Sequence, residues 1–248
     1  LDRLMNRYKC KVEYDGKNYA GFQLQINAIT IQEIIENALT TLFGEETKIT
    51  ASGRTDSGVS AKGQIIHFDS NTEIPAYKIP FALKVLLPND ISIVSCEQVD
   101  SDFHARFSAK SKTYSYKICF TKINKPLYKK YYQYPFNIDF DLLQSALDKL
   151  KGRHNFKAFM ASGSDMTIFE REIYDIKLIQ LESDCYKIEI TANGFLYNMV
   201  RIIVGLVLDI ARGRLPLDTI DKMFDSGDRN LGGHTAPPEP LTLEEVHY

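Results

Sequence analysis

Several protein classes are excluded by what the sequence lacks. Its four cysteines, Cys10, Cys96, Cys119 and Cys185, lie far apart, with no C-x-x-C pair and no clustering with histidine. That spacing predicts neither a zinc site nor a disulfide framework and fits a reducing compartment. No apolar run approaches a membrane span: the longest, from Ile202 to Leu208, is bounded by Arg201 and Asp209 and falls far short of about 18 residues. No targeting segment is legible, and a cytoplasmic protein without membrane attachment is expected. An excess of one charge is also missing. Lys and Arg number 30 against 32 Asp and Glu, a net charge of -2, which excludes a histone-like binder and requires any polyanion partner to be held by a local patch. The histidines His67, His104, His154, His234 and His247 show no H-x-x-x-H spacing, so no metal is expected. Neither a G-x-x-x-x-G-K-[ST] loop nor a G-x-G-x-x-G turn is present, which leaves nucleotide-dependent chemistry without support.

What is present is ordinary globular material, 248 residues of which 44% are hydrophobic, enough for one large domain or two small, intimately packed ones. Tyr8, Cys10, Val12 and Tyr14 alternate with polar residues as in a half-buried strand, which Asp15-Gly16 closes as a turn. Thr30 with Glu33 reads as a capping box, and Ile31, Ile34, Ile35, Ala38, Leu39 and Leu42 recur at helical spacing until Gly44. Strands are predicted near residues 48–51, 64–68 and 91–98, and a helix near 78–86. A similar order recurs: a strand over 114–120, a helix over 141–150 capped by Asp139, and strands over 173–180 and 185–192. An apolar helix over 196–212, a short one near 218–224 and a closing strand over 241–248 follow. No low-complexity linker separates the halves. The pattern predicts an α+β fold of two similar β-α-β-β-type subdomains, 1–105 and 106–248, sharing a largely antiparallel mixed sheet flanked by helices.

Three features could carry chemistry. The stretch from Phe103 to Ile138 has no Asp or Glu, yet holds Arg106, Lys112 and six further lysines interleaved with tyrosines that include Tyr114 and Tyr116. Cations neutralise phosphates and aromatic faces stack on unpaired bases, so the composition suits looped nucleic acid; a solvated lysine-rich strand would read the same way. Second, Ser52 to Gln64 reads as a polar loop punctuated by Gly53, Gly58 and Gly63, with Arg54 and Asp56 two residues apart. Asp56 is there either a nucleophile or base kept ionised by a cation, or an Asx-turn aspartate closing the loop. Third, Arg201 lies early in an apolar helix, where a guanidinium needs a carboxylate partner. Asp56 and Asp209 are both available, and snorkelling to solvent is the remaining option.

The run from Gly53 to Gln64 closely resembles the signature of the tRNA pseudouridine synthase A family. Further stretches match that family in the same order. They are Tyr14-Asp15-Gly16 with Tyr19, Gly21, Phe22 and Gln23; Leu87 to Ile91; Phe103 to Ala109 leading to Lys112-Thr113-Tyr114-Ser115-Tyr116; Gly194 to Arg201; and Thr235-Ala236-Pro237. The resemblance spans residues 8 to 248. It implies the pseudouridine synthase fold and an isomerase that converts uridine to pseudouridine at nucleotides 38, 39 and 40 of the tRNA anticodon stem-loop. It also implies no cofactor, and a homodimer with tRNA lying across both subunits. Carried over by position, Asp56 is the catalytic aspartate, Arg54 its motif neighbour, Tyr114 the active-site tyrosine and Arg201 the arginine that pairs with the aspartate. Arg106, Lys112, Tyr116, Lys62 and Gln64 become candidate substrate contacts. Phe22, Ser60 and Pro240 depart from the family's usual Trp, His and Gly, which bears on tRNA contacts. Two rivals remain. One is a non-catalytic RNA-binding protein or RNA chaperone of the same fold, against which the intact Asp56 argues. The other is a retaining glycoside hydrolase, which would need a second carboxylate such as Asp15 about 5 to 5.5 Å from Asp56.

Overall fold

The computed structural model describes residues 5–163 and 166–248. Residues 1–4, to which the sequence assigned no element, lie outside them. The chain divides into two compact units, residues up to Lys110 together with Thr242–Tyr248, and Ser111–Leu241. Each is an α+β assembly built on a mostly antiparallel sheet.

In the first unit β1 (Asn6–Tyr14) buries Tyr8, Cys10, Val12 and Tyr14 on one face, as its period-2 alternation requires. It pairs antiparallel with β3 (Ser60–Ser70) on one side and β4 (Ile91–Val99) on the other. The two-residue β2 (Thr50–Ala51) pairs with β3. The closing β10 (Leu241–His247) runs parallel to β3, with Thr242 opposite Ser60. Helix α1 (Ile31–Phe43) begins where the capping residues place it: Thr30 Oγ1 accepts the Glu33 N–H at 3.3 Å, and Gly44 ends the helix in the left-handed region. Ile35 and Leu39 from its inner face are fully buried. The predicted helix over 78–86 is shorter, a 3-10 turn at Ala76–Lys78 followed by α2 (Ile79–Leu83).

In the second unit β5 (Ser111–Phe120), β9 (Cys185–Ala192), β8 (Glu170–Glu182) and β7 (Gly152–Asn155) lie side by side, each pair antiparallel. The short β6 (Tyr132–Tyr134) joins β5 in parallel. Asp139 caps α3 (Phe140–Lys149), its carboxylate accepting the Asp141 and Leu142 N–H groups. Helix α4 (Met199–Ala211) buries every residue except Arg201, the mark of a core helix, and packs on α3. Helix α5 (Thr219–Ser226) follows. No helix of the described residues is long and apolar enough to cross a membrane.

Two expectations are overturned. The cysteines are paired: Cys10 faces Cys96 across β1 and β4, and Cys119 faces Cys185 across β5 and β9, each pair a disulfide with its Cα atoms 4.1 Å apart. The partners are 86 and 66 residues apart in sequence, so strand register brings them together and spacing could not reveal them. The polar run from Ser52 to Gln64 is not one loop. Strand β3 starts at Ser60, so Lys62, Gly63 and Gln64 are strand residues and the loop proper is 52–59.

Candidate active site

The segment carrying Arg54 and Asp56 is irregular but tightly held. Thr55 turns inward, 5% exposed, and its hydroxyl shares a 2.7 Å hydrogen bond with the buried Tyr14 hydroxyl. Arg54 on one side of it is exposed and Asp56 on the other is half-buried. The backbone is pinned as well. Phe22 N–H donates to Thr55 O at 3.1 Å, Val59 N–H to Asp56 O at 3.1 Å, and Ser57 Oγ to Tyr19 O at 3.1 Å. Gly21, at φ +98°, lies so close that a Cβ there would stand 2.8 Å from Thr55 O, which explains why this position has no side chain. The loop's other end is fastened by Gln64. Its Oε1 accepts the Ser52 hydroxyl at 2.6 Å in the interior, and its Nε2 donates to Gly53 O at 2.9 Å. The result is a fixed turn that presents one carboxylate and one guanidinium, the preorganisation that charge-stabilising catalysis needs.

Burial raises the Tyr14 phenol well above its ordinary range, opposed by its bonds to Thr55 and Gln64, so it remains a neutral latch at any working pH. Asp15 caps the turn that follows β1, accepting from Lys17 N–H at 3.3 Å and from Ser60 Oγ at 3.4 Å. Ser60, at a position where the resembled family commonly has His, also accepts the Gly16 N–H at 3.1 Å. Phe22 is 2% exposed, its ring 6.0 Å from that of Tyr14. Lys62 sits on β3 in an ion pair with Glu244 of β10 at 2.9 Å. Arg106 is exposed, on a turn held by two histidines acting as acceptors: His67 Nδ1 takes the Ala105 N–H at 3.1 Å and His104 Nδ1 the Arg106 N–H at 3.1 Å. Burial, with smaller contributions from Arg7 and His104, lowers the pKa of His67 to about 4.

In the second unit Tyr114 is 8% exposed on β5, its ring edge-on to Phe195 at 5.0 Å, and Lys112 is half-buried on the same strand. Tyr116 is fully buried and donates its hydroxyl to Pro237 O at 2.8 Å. Burial raises its pKa, and the charge of Arg201 opposes that rise. Arg201 lies in the first turn of α4. Its Nε donates to Ala236 O at 2.7 Å and its Nη1 to Asn198 Oδ1 at 2.7 Å. Asp209, one of the carboxylates considered for it, is instead buried among Arg212 at 2.9 Å, Arg214 at 3.5 Å and His234 Nδ1 at 3.3 Å. The Ala236 and Pro237 carbonyls that hold Arg201 and Tyr116 were invisible in the sequence.

The sequence pattern of the family described as tRNA pseudouridine synthase matches residues 11–108 and 146–248. A protein named tRNA pseudouridine synthase A from Thermoanaerobacter sp. (strain X514) is 45% identical over 240 residues, 96% of this chain and 97% of its own. One of the same name from Lactococcus lactis subsp. cremoris (strain SK11) is 44% identical over 249 residues, 98% of each chain. Among solved structures, a crystal structure of a Cbf5-Nop10-Gar1 complex superposes at a TM-score of 0.43 and 10% identity, covering 95% of this chain and 48% of that one.

Proposed function

The chain belongs to the tRNA pseudouridine synthase family, and from that membership we propose that it isomerises uridine to pseudouridine at nucleotides 38, 39 and 40 of the tRNA anticodon stem-loop, with Asp56 as the catalytic carboxylate. The reaction breaks the bond from the sugar C1' to N1, turns the freed uracil and rejoins it through C5, with the C5 proton lost and N1 protonated. No atom is gained or lost overall, so one well-placed carboxylate suffices to start it, by attack on sugar or base or by deprotonating the sugar. The observation that carries the reading is the Asp56 turn, fixed at Thr55, Ser57 and Val59 with Asp56 half-buried.

The other roles follow the resemblance. Arg201 supplies the cation that keeps the carboxylate ionised. Tyr114 stacks on the target base, offsetting the few kcal/mol that extruding it from a stem costs. Arg106, Lys112 and Lys62 contact phosphates, and Arg54 flanks the catalytic carboxylate. Gln64 and Tyr116, both buried, serve the substrate from beneath, by fixing the loop and the Pro237 segment. The protein acts as a homodimer with tRNA spanning both subunits, without a cofactor.

The test is to incubate the protein with unmodified tRNA transcripts and map pseudouridine by carbodiimide adduct formation and primer extension. Modification confined to nucleotides 38–40 is expected. Modification elsewhere would overturn the assigned positions, and tRNA binding without modification would favour the RNA-binding alternative.

A further inference from the structure

The side chain of Arg201 is held by a segment that is itself anchored at a buried carboxylate. Its Nε donates to Ala236 O at 2.7 Å, and in return the Ala236 N–H donates to Arg201 O at 3.1 Å, so residue 236 grips both the side chain and the backbone of the first turn of α4. The next carbonyl, Pro237 O, accepts the Tyr116 hydroxyl. Two turns further along α4, Asp209 is fully buried. Its Oδ2 accepts the His234 backbone N–H at 3.4 Å and faces His234 Nδ1 at 3.3 Å, while Arg212 lies 2.9 Å from its Oδ1. The other ring nitrogen, His234 Nε2, bonds the Tyr132 hydroxyl at 3.2 Å. Asp209 Oδ2 and the Tyr132 hydroxyl thus hold the two ring nitrogens of His234 from opposite sides. Gly205, midway between Arg201 and Asp209, has the His234 carbonyl where a Cβ would be, so the segment lies directly on the helix.

We propose that Asp209 and His234 are positioning residues for Arg201, setting the height and register of residues 233–237 on α4 so that the Ala236 carbonyl fixes the guanidinium. The inference rests on the reading that Arg201 serves the isomerisation. A salt-linked anchor suits the task because Asp209 is buried and its partners converge from α4 and the segment alike: Arg212 and Arg214 from the end of the helix, His234 from the segment. Arg229 adds a second hold on the same segment through Gly233 O at 3.0 Å and Thr235 Oγ1 at 3.1 Å. Loss of the anchor displaces the Ala236 carbonyl to which Arg201 Nε donates. Misplacing a charge-bearing group by about 1 Å costs up to about 100-fold in rate.

The experiment compares His234→Ala, His234→Asn and Tyr132→Phe in the full chain. Asn places an amide N–H near the position of Nδ1 and keeps the Asp209 arm while losing the Tyr132 arm. His234→Ala is expected to lower kcat for uridine isomerisation about 10- to 100-fold with KM for tRNA little changed. His234→Asn restores most of that loss, and Tyr132→Phe, which loses only the outer arm, has the smaller effect. Independently of turnover, the Arg201 Nε–H resonance, assigned by its loss in Arg201→Lys, shifts in His234→Ala and returns in His234→Asn. Two results overturn the proposal: an unchanged kcat and resonance in His234→Ala, or a loss that only follows the melting midpoint and that Asn does not restore. Failure of the underlying reading shows separately, as turnover retained by Arg201→Ala.

Discussion

At the scale of single residues the decisive feature is how much of the Asp56 turn is fixed by groups that do no chemistry. Tyr14, Thr55, Ser57 and Gln64 each hold a point of it, and Gly21 admits it by having no side chain. A methyl group at Gly21 meets Thr55 O at a backbone φ of +98°. Gly21→Ala is therefore expected to cost about 1 to 3 kcal/mol of stability and to lower kcat with it, measured by thermal unfolding and by tritium release side by side. His67 gives a pH prediction. Its folded pKa of about 4 lies below its ordinary value of 6.5, so the unfolded chain binds the extra proton first. The stability it contributes is fully present above about pH 6.5 and is lost as the pH falls toward 4. His67→Asn, which keeps an acceptor near Nδ1 for the Ala105 N–H but does not titrate, is expected to flatten the fall of the melting midpoint across that window. An unchanged slope would contradict the assignment.

The elements show what was legible in the sequence and what was not. β1, α1 and α4 were readable because each states its environment in its own residues: alternation for a one-sided strand, a capping pair and a helical stripe for α1, apolar residues all round for a core helix. β6 and β7, of three and four residues, are too short to show a period, and their pairing partners lie elsewhere in the chain. Disulfide pairing is not legible in the sequence for the same reason, since cross-strand register is a property of two strands at once. Asp56 and its turn were legible as a motif, and so was the need of Arg201 for partners. The latch from Tyr14 and the carbonyl grip from Ala236 were not, because both depend on contacts over 41 and 35 residues. The α1 cap offers a direct check. Thr30 is fully buried and accepts the Glu33 N–H, so Thr30→Ala is expected to lower stability by about 1 kcal/mol, read from denaturant unfolding. No loss would mean that the hydroxyl contributes nothing to the start of the helix.

At the scale of the whole molecule a chain of net charge -2 must hold a polyanion with a local surface. On the proposed function, the exposed Lys122 and Lys129 in the loop between β5 and β6 are candidates for part of that surface. Binding of tRNA is therefore expected to weaken steeply with salt, and the double substitution Lys122→Ala with Lys129→Ala to reduce the log–log salt slope by about 2, measured by filter binding across a salt series. An unaltered slope would move the phosphate contacts elsewhere. Whether one carboxylate drives uridine isomerisation is read from tritium release from tRNA labelled at uridine C5, with native protein and Asp56→Asn compared at equal tRNA occupancy. Release by the native protein is expected, with a loss of more than about 10³-fold in the variant and tRNA affinity retained. Release by Asp56→Asn at a rate near that of the native protein would contradict it.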